Sequence, residues 1–510
     1  MEIEYDAIVI GSGHNGLVAA AYLGRAGKKV LVLEKSSDPG GATKSIAPFP
    51  GVAAYLSRYS YLVALFPDEI KQDLGLRFET LSRKVSSFTP WQETGILINR
   101  DFDEASKSSI YGFTGDSNAS KAWELFYSRI AEFARKVAPT LLGPLPNESD
   151  IRSLVGDELW DEFISSSLAT TLERYFEDDV IKGIVLTDGL IGTFASAHEK
   201  LANICFLYHL IGNGTGEWKV PLGGMGALVG ALIDKCSEFG VELKANSKVT
   251  KIVDEGDCIT VITADGQALR THLVLANCAP RTLEKLSGLK SAEHRDGSQL
   301  KVNLVLKKLP RLKSGIDPTL AFAGTFHVDE AYSQLERAFQ EASSGNLPTV
   351  IPCEMYCHTL TDGSILSDEL KTSGAHTLTL FAIHTPAALF DKNHDEVKAE
   401  ALRRIFAGLN RYLIDPIESC IALDADGAPC IEIKTPLELE AEIDLPRGNI
   451  FHCDLQFPWR IQGDQGKWGV ETENPRILLA GAGAVRGGGV SGIAGHNAAM
   501  AALERFSLSK

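Results

Sequence analysis

The sequence lacks most of what would put a protein across a membrane, on nucleic acid or outside the cell. No stretch approaches the roughly 20 apolar residues that a membrane-spanning helix needs. Basic residues are in deficit: 50 Lys and Arg against 66 Asp and Glu leave a net charge of −16 over 510 residues. That balance excludes a nucleic-acid partner held by phosphate neutralisation. It also works against broad docking on anionic lipid, although a local apolar patch could still touch a membrane peripherally. The opening MEIEYDAIVIGSG is acidic and runs into strand-like sequence within five residues, so no cleavable signal is expected and the cytoplasm is the expected compartment. The nine cysteines are scattered from Cys205 to Cys453 without a Cys-x-x-Cys pair, which excludes a disulfide framework and a dithiol redox centre. Cys353, Cys357 and His358 come nearest to metal-ligand spacing. Their context, PCEMYCHTL, suits a half-buried strand, and no second ligand pair follows, so no metal is expected. Internal repeats and low-complexity tracts are absent as well. The length exceeds what one hydrophobic core usually supports, which points to two lobes.

What is present begins at the N-terminus. YDAIVI (5–10) reads as a buried strand, Gly11-Ser12-Gly13-His14-Asn15-Gly16 follows at once, LVAAAYLGRAG reads as a helix, and KKVLVLEK is a second strand. Strand, glycine turn, helix and strand within about 30 residues is the context that gives G-x-G-x-x-G its meaning as a dinucleotide site. Gly11 allows the tight turn, Gly13 lets the backbone approach a pyrophosphate, and Gly16 lets the helix pack on the strand. The helix N-terminus then presents N–H groups and a positive dipole end to the phosphates. Glu34 ends the second strand, where its carboxylate can accept from both ribose hydroxyls of an adenosine without a 2′-phosphate. The Gly40-Gly41 doublet sits just beyond, flanked by Lys35, Ala42 and Ser45. It lets a loop fold over the pyrophosphate from the other side, which suits the long FAD molecule. Gly223-Gly224-Met225-Gly226 opens another helix, but VPL is a poor preceding strand and no acidic ribose partner follows. A second, NAD(P)-binding domain is therefore not supported.

With these residues in view, the chain resembles the phytoene (carotenoid) desaturase branch of the flavin amine oxidase superfamily, and the phytoene dehydrogenase-related oxidoreductases in particular. Four blocks carry the resemblance. They are VIGSGHNGLVAAAYLGRAGKKVLVLEK with its glycine doublet; PGVAAYLSRYSYLVALFPDEIKQDLGL; the block from VPLGGMGALVGALIDKCSEFGVELKANSKV to LVLANCAP; and GNIFHCDLQFPWR with PRILLAGAGAVRGGGVSGIAGHNAAMAAL. The resemblance implies that Val249 contacts the adenine through its backbone, with Ala276 and Asn277 nearby at a strand end. It implies that Gly481 and Ala482 reach the pyrophosphate. It also implies that main-chain groups near Gly489 and Val490, at the start of the last helix, face the pyrimidine edge of the isoalloxazine ring. There the helix dipole would favour negative charge on the reduced flavin. Three departures stand out. Ala42 occupies a position where amine oxidases usually carry arginine, leaving the phosphates to Lys44 or to backbone groups. Arg486 and three glycines replace a proline-glycine. Cys453 follows Phe451-His452 where glycine is frequent; ordinary packing is expected of it, with a thioether to flavin as the alternative, so the FAD is expected to be non-covalent.

The expected fold class is α/β. A discontinuous Rossmann-type FAD-binding domain (1–85, 215–295 and 440–510) would be joined to a mixed α+β substrate domain (86–214 and 296–439). In the latter, AWELFYSRIAEFARKVAPTLL and DEVKAEALRRIFAGLNRYL read as helices, and LKVNLVLKKL and HTLTLFAIHTP as strands. The apolar run ICFLYHLI (204–211) is expected to be a buried helix turn, with the lining of an apolar tunnel or a dip into a membrane as its alternative; His209 within it reads as a core histidine. The expected function is FAD-dependent dehydrogenation, oxidation or desaturation. Hydride would leave a C–H bond of a small, largely apolar substrate, terpenoid, carotenoid-like or polycyclic, for flavin N5. Oxygen, a quinone or another small acceptor would then take the electrons. The cofactor carries this chemistry, so no catalytic dyad or triad need show. His452, Trp459, Arg460 and His496 are the candidates for residues near the ring. Two alternatives stay open: isomerase or saturase chemistry on a polyene, and a non-enzymatic binding protein of the GDP-dissociation-inhibitor type.

Overall fold

The computed structural model describes residues 3–63, 65–214, 216–461 and 466–508. Two seven-stranded sheets organise it. In the first, the strand Tyr5–Ile10 lies between Val30–Leu33 and Ala268–Ala276, parallel to both. Ile477–Leu479, from near the C-terminus, adds in parallel to the end of Ala268–Ala276, and Glu242–Lys244 adds beyond Val30–Leu33. Both faces are covered, so these strands read as unbroken apolar runs rather than alternating ones. The helices His14–Arg25, Met225–Glu238 and Ile493–Leu508 pack together on one face, around Leu17, Leu228 and Ala498.

The second sheet carries the strands in the order Ile431–Lys434, Leu300–Leu306, His376–Ala382, Cys353–Tyr356, Thr325–Val328, Val85–Trp91 and Thr94–Asn99. Its strands alternate. Val302, Leu304, Leu378, Leu380, Met355 and Phe326 point into an apolar core with the helix His394–Asn410, while the intervening residues face the other way. A helical layer from Glu104 to Ile211 has its own core, in which Phe126, Phe133, Phe163 and Phe206 cluster. PCEMYCHTL does form a strand over Cys353–Tyr356, and Cys353, Cys357 and His358 are all buried. His358 Nε2 is 3.1 Å from Asp362. Among the described residues, no helix is long and apolar enough to cross a membrane.

Candidate flavin and substrate cavity

At the nucleotide end, two glycine loops meet face to face. Gly11 turns off its strand at φ 92°, and Asn277 Nδ2 donates to its carbonyl at 3.1 Å. A Cβ on Gly16 would lie 2.4 Å from the Gly11 oxygen and 2.8 Å from Asn277 Nδ2, so no side chain fits there. Gly13 and Gly40 form an isolated bridge, and a Cβ on Gly41 would stand 3.2 Å from Gly13 Cα. The result is a cradle walled by bare backbone. The helix His14–Arg25 starts at this cradle with Gly13 as its cap, no capping side chain and no acid in its first turn, which leaves its N-terminus open to an anion. Glu34 is buried at the end of its strand. It accepts from Ser12 N (2.9 Å), Ser12 Oγ (2.6 Å) and Ser36 N (2.9 Å). Burial alone would raise its carboxyl, but these hydrogen bonds outweigh it and hold the group below the usual carboxylate range.

A cavity of roughly 540 Å³ runs from this cradle into the space between the two sheets. Of the residues singled out from sequence, Gly11, Gly13, His14, Asn15, Glu34, Lys35, Gly41, Ala42, Val249, Asn277, Ala482, Gly489 and Val490 line it, and so does Lys44. Ser12, Gly16, Gly40, Ser45, Ala276 and Gly481 are not among the lining residues. Ser12 and Gly40 bond one another behind the turn. Ser45 Oγ accepts from Gly226 N, at the start of another helix. Ala276 sits within the sheet. Gly481 packs against Asn277, whose carbonyl oxygen would be 2.9 Å from a Cβ.

The four ring-side candidates separate. His452 lines the cavity in a left-handed conformation (φ 68°). Its Nδ1 is without a partner, and burial draws the ring down to about 4. The others do not line it. Trp459 stacks on Phe457 (4.8 Å) and meets Trp160 (5.4 Å) in the helical core. Arg460 donates to Asn147 and to the Gly466 carbonyl. His496 meets Tyr22 edge-on at 5.0 Å, with Nδ1 2.9 Å from Asn497 Oδ1. Between His452 and Trp459 the chain leads away from the cavity wall. His496, on the last helix, faces the helix His14–Arg25.

His14, in contrast, lies in the wall with Nε2 buried and unpartnered, and burial draws its ring down to about 4. Cys453 is outside the lining: Sγ is 3.5 Å from the Gly483 carbonyl, and burial pushes the thiol up to about 12. Arg486 is wholly buried at φ 67°. Its guanidinium donates to the carbonyls of Thr140, Gly143 and Trp468 at 2.8–2.9 Å. The departure from proline-glycine thus supplies a strut that ties the 487–490 loop to the helical layer.

The far half of the cavity has an aromatic side and a polar one. Tyr61 and Tyr356 are 4.6 Å apart, and His209 stacks on Trp218 at 4.8 Å. Ile191, Phe381, Ile450 and Phe451 continue the apolar wall. The run 204–211 is a buried helix within Lys200–Ile211, and of its residues His209 lies in the cavity wall. The polar side comprises Arg83, Asp188, Gln299, Thr325 and Glu354, none of them singled out from sequence.

This geometry can be set beside known proteins. A family model described as flavin containing amine oxidoreductase matches residues 120–419, and one for an NAD(P)-binding Rossmann-like domain matches 9–74. The chain belongs to the flavin-containing amine oxidoreductase family. It is accordingly an FAD-dependent oxidoreductase of mixed α/β architecture, and the open cradle and uncapped helix at Gly13 fit that cofactor. An uncharacterized protein of Mycobacterium tuberculosis is 42% identical over 98% of this chain and 97% of its own. The pyridine nucleotide-disulfide oxidoreductase domain-containing protein 2 of Rattus norvegicus is 30% identical over 97% and 93%. Arabidopsis thaliana prolycopene isomerase is 23% identical over 83% and 71%. A putrescine oxidase bound to putrescine superposes with a TM-score of 0.61 at 16% identity, over 99% of both chains, which is a likeness of fold.

Proposed function

We propose that this protein, in the manner of the phytoene desaturase branch it resembles, oxidises a C–H bond of a small substrate with a largely apolar body, terpenoid-like or polycyclic. The observation that carries the reading is a single cavity that joins the nucleotide cradle to an enclosed aromatic wall. When bound, FAD would supply a two-electron acceptor for the hydride of that C–H bond, and the proton lost as a C=C or C=N bond forms would pass to solvent. Oxygen, a quinone or another small acceptor would reoxidise it. On this reading the chain's residues position and exclude. Gly11–Gly16, Glu34, Gly41 and Asn277 hold the adenosine and pyrophosphate. Gly489 and Val490 turn backbone toward the ring, and Arg486 fixes their loop. His14 and His452 stay neutral at physiological pH, so they add no fixed charge where electrons arrive. Tyr61, Trp218 and Phe451 keep water from the reacting carbon. We assign the first sheet and its helices (1–85, 215–295 and 440–510) to the cofactor and the remaining segments to the substrate, with attachment of FAD non-covalent.

The 23% identity to prolycopene isomerase favours a second reading, isomerisation or saturation of a polyene. A visible spectrum of the purified protein and anaerobic titration with candidate substrates test the first. Bleaching with a product two hydrogens lighter supports it. Product of unchanged mass supports isomerisation. A colourless protein that cannot be loaded with FAD would revive a pure binding role.

A further inference from the structure

The second sheet has two buried faces, and one of them is polar. Register places Lys434, Lys301, Phe381, Glu354 and His327 side by side across five strands. Asn303 and Thr379 are neighbours in the next row. A polar sheet face normally meets solvent; here Lys301, Asn303, Thr379 and Glu354 are each at most 4% exposed. Most of this polarity is answered within the protein. Lys301 Nζ donates to the carbonyls of Ser57 (2.7 Å) and Ser60 (3.0 Å), Asn303 to that of Arg58, and Thr379 to Asn303. His327 is joined to Glu330.

What is left over converges on the cavity. Gln299 is 5% exposed and its Nε2 has no partner. Asp188 makes no side-chain hydrogen bond among the described residues. Glu354 has the Tyr356 hydroxyl. The Arg83 guanidinium has a long 3.4 Å bond to Thr325 and the face of Tyr356, so most of its five donors are unused. Buried polar groups are seldom left unfilled; Gln299 and Glu354 are buried, Arg83 and Asp188 partly so, and all four lie in the wall of the cavity.

We propose that the substrate is amphipathic, and that its neutral oxygen-bearing head, a hydroxyl or carbonyl, is held by Arg83 and Gln299 as donors beside Asp188 and Glu354. This deepens the oxidoreductase reading of the same cavity and rests on it. The charges select the head. A carboxylate would meet the charge of Asp188, and an ammonium would meet Arg83 and leave its donors unfilled. A neutral oxygen accepts from Arg83 and Gln299, and a hydroxyl can also donate to Asp188. Burial, with Glu330 and Asp188 nearby, pushes Glu354 up to about 8, so at neutral pH it is itself a donor. The apolar body then extends along Tyr61 and Trp218.

The test uses FAD-loaded protein whose flavin content is measured first. Perturbation of the flavin spectrum is titrated at pH 7 with 1-octanol, 2-octanone, octylammonium and octanoate. The expected result is that the alcohol or ketone binds at least tenfold more tightly than either ion. Glu354→Gln should keep that preference, because the amide still donates. Arg83→Met should abolish it, and Gln299→Leu should reduce it and serves as the check if Arg83→Met loses flavin. The proposal is overturned if either ion binds as tightly, if no probe perturbs the flavin, or if the preference survives both variants. Protein that retains FAD but ranks the probes otherwise refutes only the head-group assignment. Protein that cannot hold FAD refutes the underlying function.

Discussion

Glu34→Ala tests whether the N-terminal cradle is built as described, and its effect can be estimated before any measurement. Two things are removed at once. The first, on the proposed assignment, is the acceptor for the adenosine ribose hydroxyls. A hydrogen bond to a charged group is worth about 1.5–3 kcal/mol, which at about 1.4 kcal/mol per decade weakens FAD binding about 10- to 150-fold. The second loss is internal. Ser12 is wholly buried, and both its N–H and its hydroxyl donate to Glu34. Alanine leaves that N–H unpaired at a cost of about 1–3 kcal/mol, so the apoprotein itself should be destabilised. Glu34→Gln separates the two: an amide oxygen still accepts from Ser12, so apo stability should largely recover while affinity remains about tenfold below the parent. Quenching of FAD fluorescence on titration into apoprotein gives the affinity, and urea unfolding of the same samples gives the stability. If Glu34→Ala binds FAD within threefold of the parent, the ribose assignment is refuted. If its apo stability is unchanged, the Ser12 network is not what holds the turn.

Three further outcomes are expected. Gly16→Ala places a Cβ 2.4 Å from the Gly11 carbonyl, which is backbone and cannot rotate away; urea unfolding should show a loss of about 3 kcal/mol or more, as for overpacking and backbone strain together. Arg486→Met removes the side-chain donor from three carbonyls, those of Thr140, Gly143 and Trp468. At about 1 kcal/mol or more for each bond, the midpoint should fall and flavin should be released at lower denaturant than in the parent. Glu354 keeps its proton to about pH 8 in the fold and loses it near 4.5 when unfolded. The native state therefore binds the extra proton between those values, so this group's stabilisation is full below about 4.5 and is lost as pH rises through 8. Glu354→Gln should flatten the urea midpoint across that window, and an unchanged slope would show that Glu354 titrates normally.

The cofactor half of the site was legible because its parts are adjacent in the chain. Gly11, Gly13 and Gly16 are fixed by the geometry of one turn, and Glu34 and Gly40-Gly41 follow at spacings that one strand and one helix dictate. Trp459 and Arg460 follow His452 closely in sequence yet lie outside the cavity wall, a separation that no local pattern reveals. The polar sheet face shows a deeper limit. LKVNLVL and HTLTLFA were recognised as strands, but alternation says only that two faces differ. It does not say whether the polar one meets water, and the default assumption is that it does. Here residues 57–62, some 240 positions earlier, lie across it and exclude solvent. One signal was available. Lys301 sits in a strand with Leu300 and Val302 on either side, and Glu354 between Cys353 and Met355. A single charge within so apolar a run is poorly suited to an edge or a solvated face and better suited to a buried polar network. Arg83, Asp188 and Gln299 carry no such mark, since each comes from a separate connection and gains meaning only when the fold brings it to Glu354. The split follows the chemistry. A cofactor shared by a family is held by local motifs that persist, whereas a substrate head is read by side chains recruited singly from distant segments. The residues that sequence reading missed are therefore those on which the identity of this protein's substrate depends.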